Sequence, residues 1–415
     1  MVHAFSRREG RDLAERYVDE LGHLARSADL QALGHRIFAI DRIHPATYLG
    51  KGQVADLKEK IQELEAEVVV FNHALSPVQQ RNLEKSLEVK VVDRTGLILE
   101  IFAARARTRE GTLQVNLAML LYQQSRLVRT WSHLERQRGG VGLRGGPGET
   151  QIEVDRRLIR DRIHRLEKQL LQVERTRTLQ RRARRDVPYF TASLVGYTNA
   201  GKSTLFNRLT QAGVYEADQL FATLDPTMRG LTLPNGQRII LSDTVGFIRE
   251  LPHQLIAAFR ATLEEVLEAD LLLHVVDLSD PECTEQHRVV MEVLEELGAG
   301  GKPMMTLYNK CDRIDEGNQA KLERHAARPQ SLVISARTGQ GETQLLDALQ
   351  EAAGRTSQVV HLNLPAANGA LLARICREGH VTDRHDQDDH ILLTVSFLPA
   401  AAGRIWKSIE AHVIS

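Results

Sequence analysis

The sequence predicts an α/β protein of several domains, and three observations predict it. Helical patterns alternate with short apolar runs over most of the chain, as in a parallel sheet with crossover helices. The apolar run 192–195 turns through Gly196-Tyr197-Thr198-Asn199-Ala200-Gly201-Lys202-Ser203 into the helical pattern of 204–209. At 415 residues the chain exceeds what one hydrophobic core sustains. The expected parts are an amino-terminal parallel α/β domain over residues 1–110, a long helical hairpin over 111–186, a P-loop nucleotide domain over 187–355 and a small αβ carboxy-terminal domain over 356–415.

In the first part, helices are expected over 12–25, 53–65 and 77–87, alternating with strands over 33–40, 68–71 and 89–92. Gly50-Lys51-Gly52 precedes the second of these helices. It reads as a turn into a helix rather than an anion site, and no cofactor is assigned to it. In the second part, Leu113, Leu117, Leu120, Leu127, Trp131 and Leu134 step by threes and fours with one gap at Gln124. Ile159, Ile163, Leu166, Leu170 and Val173 do likewise, so two helices of a coiled hairpin are expected. Between them residues 139–148 hold six glycines in ten, closed by Glu149-Thr150-Gln151, where Glu149 or Thr150 can cap the returning helix. Such a tip builds no core of its own, yet lets backbone approach a partner closely. An arm of about 25 residues projects it roughly 35 Å.

The turn at 196–203 has the strand-to-helix setting that a phosphate loop requires. Its backbone N–H groups converge on phosphate oxygens, Lys202 reaches the β and γ phosphates, and the Ser203 hydroxyl ligates Mg²⁺. Asn309-Lys310-Cys311-Asp312 follows the apolar strand 304–308. A carboxylate there accepts both N1–H and the 2-amino N–H of guanine, and adenine offers neither donor. Ser335-Ala336-Arg337, after the strand 332–334, would supply a backbone N–H to guanine O6. The nucleotide is therefore expected to be GTP or GDP.

Between these motifs lie the sensing segments. Asp243-Thr244-Val245-Gly246 ends the strand begun at 238, with a carboxylate for the metal's water shell and a glycine N–H for the γ phosphate. In Leu220-Phe221-Ala222-Thr223-Leu224-Asp225-Pro226-Thr227, Thr223 is the first candidate for the second hydroxyl ligand of Mg²⁺ and Thr227 the runner-up. Lys202, Thr223 and Gly246 are the expected catalytic set, and Ser203 and Thr223 the metal set. After Gly246 stands Phe247-Ile248, where a glutamine could have oriented water. Intrinsic hydrolysis is expected to be slow and partner-stimulated. Asn199 either closes the loop turn or offers its carbonyl to K⁺; both readings stay open.

Composition excludes several classes. Hydrophobic content of 42% with 26% charged residues is that of an ordinary soluble protein, and no apolar run reaches bilayer length. The start lacks an apolar signal core, so a cytoplasmic protein, expected to be a monomer, is read. Cys283, Cys311 and Cys376 are too scattered for a disulfide framework or a zinc site. A formal net charge of zero conceals segregation: residues 126–185 carry 17 Lys plus Arg, 16 of them arginine, against 7 Asp plus Glu. Arginine bonds phosphate bidentately and stacks on bases, which favours RNA as partner. Residues 175–185 read as a basic linker. In the tail, a strand over 359–364, a helix over 370–376, an acidic loop over 383–389 and a strand over 391–397 are expected.

His44-Pro45-Ala46-Thr47-Tyr48-Leu49-Gly50-Lys51-Gly52, the glycine-rich tip, the loop 196–203 and the segment 221–227 together resemble the HflX family of the Obg–HflX group of GTPases. Over residues 33–354 the resemblance implies guanine nucleotide and Mg²⁺ contacts at 196–203, 221–225, 243–246, 309–312 and 335–337. It further implies binding to the large ribosomal subunit and its rRNA, with the hairpin loop near the peptidyl transferase centre. The implied action is GTP-dependent separation of stalled ribosomes under stress. Arg144-Gly145-Gly146-Pro147 carries one glycine more than the family's usual tip. A large-subunit assembly or quality-control GTPase remains a rival, and so does an ATP-driven RNA helicase acting through the amino-terminal domain.

Overall fold

The computed structural model describes the chain except residues 7–9, 132–150, 186–188, 212–219, 222, 225–226, 253–259, 315–318, 356 and 415. It divides into two compact units. One comprises residues 1–172, 217–225 and 250–260; the other comprises 173–216, 226–249 and 261–415.

The first unit opens with β1 (Val2–Ser6), followed by α1 (Arg11–Ser27), β2 (Arg36–Ile40), α2 (Lys51–Glu63), β3 (Val68–Phe71), α3 (Pro77–Leu87), β4 (Lys90–Asp93) and α4 (Arg94–Arg105). The strands form an all-parallel sheet in the order β2-β1-β3-β4. Neither β1 nor α4 is among the elements expected from sequence. Val2-His3-Ala4-Phe5 is too short to show a period, yet it pairs with strands on both sides, and Val2 is fully buried among Phe71, Leu83 and Val91. Gly50 is the residue before α2, and its N–H donates to Gln53 Oε1 at 2.9 Å, so Gly50-Lys51-Gly52 is a helix start. Ser76 closes a capping box with Gln79 at α3, with Pro77 next to it.

Two long helices follow, α5 (Arg109–Trp131) and α6 (Gln151–Arg185). Residues 175–185, expected as a linker, continue α6 as helix, because a run rich in arginine without Gly or Pro has nothing to stop it. The expected seam of Leu113, Leu117 and Leu120 is only partly buried. The buried face of α5 is Gly111, Gln114, Val115 and Ala118, since this helix packs on α3 and α4. Ile163 is buried on α6, whereas Leu158 and Leu171 are exposed. The tip 139–148, Leu134 and the caps Glu149 and Thr150 lie outside the described residues.

Asp93 fastens α5 to the sheet. Its carboxylate, 1% exposed, accepts from Leu75 N at 3.1 Å, Gly96 N at 2.8 Å, Tyr122 Oη at 2.6 Å and Arg126 Nη2 at 2.5 Å. Arg126 also donates to Gln80 Oε1, and its guanidinium lies 4.1 Å from the Tyr122 ring centre. Burial, with the neighbouring Asp93 charge, raises the Tyr122 phenol so that it stays a donor.

The second unit holds β5 (Thr191–Gly196), α7 (Lys202–Thr210), β6 (Thr227–Thr232), β7 (Arg238–Asp243), most of α8 (Arg260–Glu268), β8 (Leu271–Asp277), α9 (Cys283–Glu296), β9 (Met304–Asn309), α10 (Gln319–Ala326), β10 (Ser331–Val333) and α11 (Glu342–Arg355). Its six-stranded sheet runs β10-β9-β8-β5-β7-β6 and is parallel except for the antiparallel edge pair β6–β7. Leu194, Leu241, Leu273, Val275 and Leu307 are fully buried at its core. The tail adds β11 (Gln358–Pro365), α12 (Gly369–Glu378), β12 (His380–Asp386), β13 (His390–Phe397) and α13 (Pro399–Ile409). These strands form an antiparallel sheet in the order β11-β13-β12. Residues 383–386, expected in an acidic loop, are an edge strand, where charged side chains face water on both sides of the pleat.

Candidate nucleotide site

The loop after β5 depends on two glycines that no other residue could replace without a clash. Gly196 has φ +151°, and a Cβ there would lie 2.3 Å from the Val275 carbonyl oxygen. Gly201 has φ +96°, and a Cβ there would lie 2.3 Å from Asn309 Nδ2. Asn199 takes a left-handed turn at φ +60°, and its backbone carbonyl accepts from Lys310 Nζ at 2.8 Å. Tyr197, Thr198 and Ala200 are buried around this turn.

Lys202 starts α7, and its Nζ donates to the carbonyls of Gly196 at 3.1 Å and Tyr197 at 2.8 Å. Burial pushes its ammonium down to about 8; Asp243 opposes that shift and Lys310 adds to it. A phosphate oxygen beside Nζ would restore the charged form. Ser203 Oγ donates to Asp243 Oδ2 at 2.8 Å. A hydroxyl next to a carboxylate is a hard-oxygen pair suited to Mg²⁺, so the residues present fit the metal that the motifs imply.

The segment after β7 is zipped to the loop. Thr198 N donates to Phe247 O at 2.7 Å, and Phe247 N donates to Gly196 O at 3.1 Å. A Cβ on Gly246 would come within 2.7 Å of Thr198 Cα, so this glycine permits the approach. Thr244 Oγ1 donates to Leu194 O at 2.5 Å, and Val245 is buried. The Phe247 ring is buried as well, which places a packed phenyl where a water-orienting side chain was absent from the sequence.

The residues expected to read the base sit beside the loop. Asn309 Nδ2 donates to Ala200 O at 2.8 Å, and Asn309 Oδ1 accepts from Ala336 N at 2.9 Å. Asp312 Oδ1 accepts from Ser335 Oγ at 2.6 Å. Cys311 is buried, its thiol raised by burial and by Asp312; its Sγ meets Gln340 Oε1 at 3.4 Å. The N–H of Ser335 is taken by Gln340 O at 2.9 Å and that of Ala336 by Asn309, while the Arg337 carbonyl accepts from Arg208 Nη1 at 3.2 Å.

Sequence reasoning missed three supports of this site. Asp277 at the end of β8 pairs with Lys310 Nζ at 2.7 Å, Glu342 holds Arg208 at 2.6 Å, and Tyr197 Oη accepts from Arg249 N at 3.1 Å. Only Asp277 had a legible signal, a carboxylate closing the apolar run 271–276. The segment 220–224 belongs to the first unit: Phe221, Thr223 and Leu224 are buried there, and Ala222 and Asp225 lie outside the described residues. Thr227, the runner-up, starts the edge strand β6. Among the described residues no group of three or more His, Cys, Asp and Glu could hold a metal, and no helix is long and apolar enough to cross a membrane.

A loop that two glycines alone allow, a hydroxyl aligned with a carboxylate behind it, and an Asn joined to that loop at the end of β9 are the features of a P-loop GTPase domain. Family models match residues 15–103 (GTP-binding GTPase N-terminal), 105–184 (GTP-binding GTPase Middle Region) and 191–310 (50S ribosome-binding GTPase). GTPase HflX of Magnetococcus marinus is 57% identical over 410 residues, 99% of this chain and 94% of that protein. GTPase HflX of Escherichia coli is 49% identical over 360 residues, 86% of this chain and 84% of that protein. The chain belongs to the HflX family of GTPases. A GTP-binding protein from Sulfolobus solfataricus in complex with GDP aligns at TM-score 0.45 with 24% identity, over 86% of this chain and 99% of that chain.

Proposed function

We propose that this GTPase binds the large ribosomal subunit and its rRNA in the cytoplasm, as a monomer, and separates stalled or idle ribosomes under stress. The observation that carries the reading is the joining of a guanine-reading pair to a phosphate loop through Asn309 and Ala200, in a chain whose residues 126–185 hold a surplus of positive charge. The matched family description of a 50S ribosome-binding GTPase supports it.

In this reading the four-part organisation at 1–110, 111–186, 187–355 and 356–415 assigns the trigger to the third part and the RNA probe to the second. Ser203 and Thr223 would hold Mg²⁺ with Asp243 beside Ser203, and the ion would supply charge neutralisation on the phosphates. Lys202 and the Gly246 N–H orient the γ phosphate. Asp312 takes the guanine N–H groups, and the Arg337 N–H faces O6, because the amides of Ser335 and Ala336 are engaged within the protein. Asn199 would be the residue to hold K⁺, which would supply further positive charge beside the phosphates. GTP orders the sensing segments, the hairpin loop enters toward the peptidyl transferase centre, and hydrolysis permits release.

Sucrose-gradient sedimentation of intact ribosomes with the protein and GTP tests this. Subunits should separate with the full chain and stay joined when residues 139–148 are deleted, with GTP binding unchanged. Protein that rides on large subunits without splitting any ribosome would establish the assembly reading instead.

A further inference from the structure

Arg208 stands in the last turn of α7, the helix that begins at the phosphate loop, and its guanidinium reaches the loop after β10. Its Nη1 donates to the Arg337 carbonyl at 3.2 Å and its Nη2 to the Thr338 carbonyl at 3.3 Å. Its Nε donates at 2.6 Å to Oε2 of Glu342, in the first turn of α11. The two side chains are 34% and 33% exposed, so their ion pair by itself adds little stability. What Glu342 fixes is the plane of the guanidinium. That plane lies against Gly339, where a Cβ would come within 2.0 Å of Nη2. Gly339 also has φ +89°, so the residue that turns the loop is the one that leaves room for the arginine.

The clamp acts on one peptide group in particular. The Ala336 N–H is held by Asn309 Oδ1 at 2.9 Å, and the Arg337 carbonyl is held by Arg208. Between these two bonds lies the peptide that joins residues 336 and 337, and its N–H is the donor assigned to guanine O6. The turn closes on Ser335, whose carbonyl accepts from Gly339 N at 2.8 Å and whose hydroxyl accepts from Thr338 N at 3.1 Å. A planar peptide held on both sides keeps its direction, and a donor already aimed loses little conformational freedom when the base arrives.

We propose that Arg208 is a positioning residue for guanine recognition, acting through the Arg337 and Thr338 carbonyls to aim the Arg337 N–H at O6. The proposal rests on the reading that residues 335–337 face guanine. Lysine cannot take this place, because one ammonium on a flexible stem does not span two carbonyls and a carboxylate in a single plane.

The test measures the affinity of GDP, inosine diphosphate and 2-aminopurine riboside diphosphate for the full chain, for Arg208→Ala and for Arg208→Lys. Inosine keeps O6, whereas 2-aminopurine lacks both O6 and N1–H. Arg208→Ala should weaken GDP and inosine diphosphate about tenfold, and the 2-aminopurine nucleotide by less than about twofold. Arg208→Lys should bind GDP within about twofold of Arg208→Ala, since charge without the fork does not hold the peptide. In an Asp312→Asn background Arg208→Ala should still cost GDP about tenfold, because the two changes touch different atoms of guanine. Equal weakening of all three nucleotides, no weakening, recovery of GDP affinity in Arg208→Lys, or disappearance of the effect in Asp312→Asn would overturn the positioning role. Failure of the underlying reading has its own signature. If the unmodified chain binds GDP and the 2-aminopurine nucleotide alike, the assignment of residues 335–337 to guanine is wrong, and the role of Arg208 goes with it.

Discussion

Asn309 joins two motifs that lie 109 residues apart: its side-chain amide donates to the Ala200 carbonyl at 2.8 Å, inside the phosphate loop. Its carbonyl takes the Ala336 N–H, so the phosphate loop and the ends of β9 and β10 are hydrogen-bonded to one another. Asn309→Ala strands both partners in a buried place. The expected loss is about 2–4 kcal/mol of stability, together with weaker nucleotide binding, and denaturant unfolding with and without GDP measures both.

Asp312 should decide which base is held. Asp312→Asn exchanges an acceptor for a donor and loses two hydrogen bonds to guanine, which lowers GDP affinity about a hundredfold or more. Xanthine presents a carbonyl where guanine has its 2-amino group, so affinity for XDP should rise in the same variant. Competition of both nucleotides for a fluorescent analogue gives the ratio, and an unchanged preference for GDP would sink the assignment.

Lys202 links nucleotide binding to protons. Burial holds its ammonium down to about 8 in this structure, and phosphate contact restores the charged form. At pH 8 the protein should therefore take up about half a proton as GTP binds, and the uptake should vanish in Lys202→Ala. Calorimetry in two buffers of different ionisation enthalpy reads the number. The same group works on stability in the opposite sense from a raised lysine. Between pH 8 and the unfolded lysine value near 10.4 the unfolded chain holds the extra proton, so its contribution to stability rises with pH.

His274 makes the nucleotide domain sensitive to acid. It lies buried on β8, stacked on His287 with centroids 4.8 Å apart, and burial, then His287 and Lys202, push it down to about 3. Below the unfolded value of about 6.5, the unfolded chain gains a proton that the folded one refuses, so stability falls by about 1.4 kcal/mol per pH unit. His274→Leu should flatten the loss of melting temperature between pH 6.5 and 5. An equal loss in the variant would place the acid sensitivity elsewhere.

The docking of helix α5 should depend on Asp93. Asp93→Ala leaves Arg126 and Tyr122 in place without the buried carboxylate they share, at an expected cost of about 3–5 kcal/mol. Urea unfolding measures it, and Asp93→Asn, which keeps one of the two acceptor oxygens and turns an NH2 donor on the partners of the other, should cost less than the full truncation.

Much of this was legible in the residues themselves. A phosphate loop declares itself because few side chains tolerate φ +96° or the contact at Gly196, so the glycines must be written into the sequence at fixed spacing. The same holds for Asn309 and Asp312, and for most of the helices and strands of the first part, whose periods are plain. Their boundaries shifted by one to three residues at most. The central strand β1 escaped because five residues carry no clear period, and the strand β12 escaped because charge at a sheet edge looks like a loop. On α5 the leucine pattern pointed to a seam that packing on α3 and α4 set aside in favour of Gly111, Gln114, Val115 and Ala118.

The sequence by itself determined the class of ligand, the order of the parts and the family, because those depend on residue type at short spacing. Only the tertiary structure decided that Asp93 gathers Tyr122 and Arg126, that Lys310 pairs with Asp277, and that Phe221 packs on Phe102. Each of these unites residues far apart in the chain, and local preferences say nothing of a partner that only the folded backbone brings near.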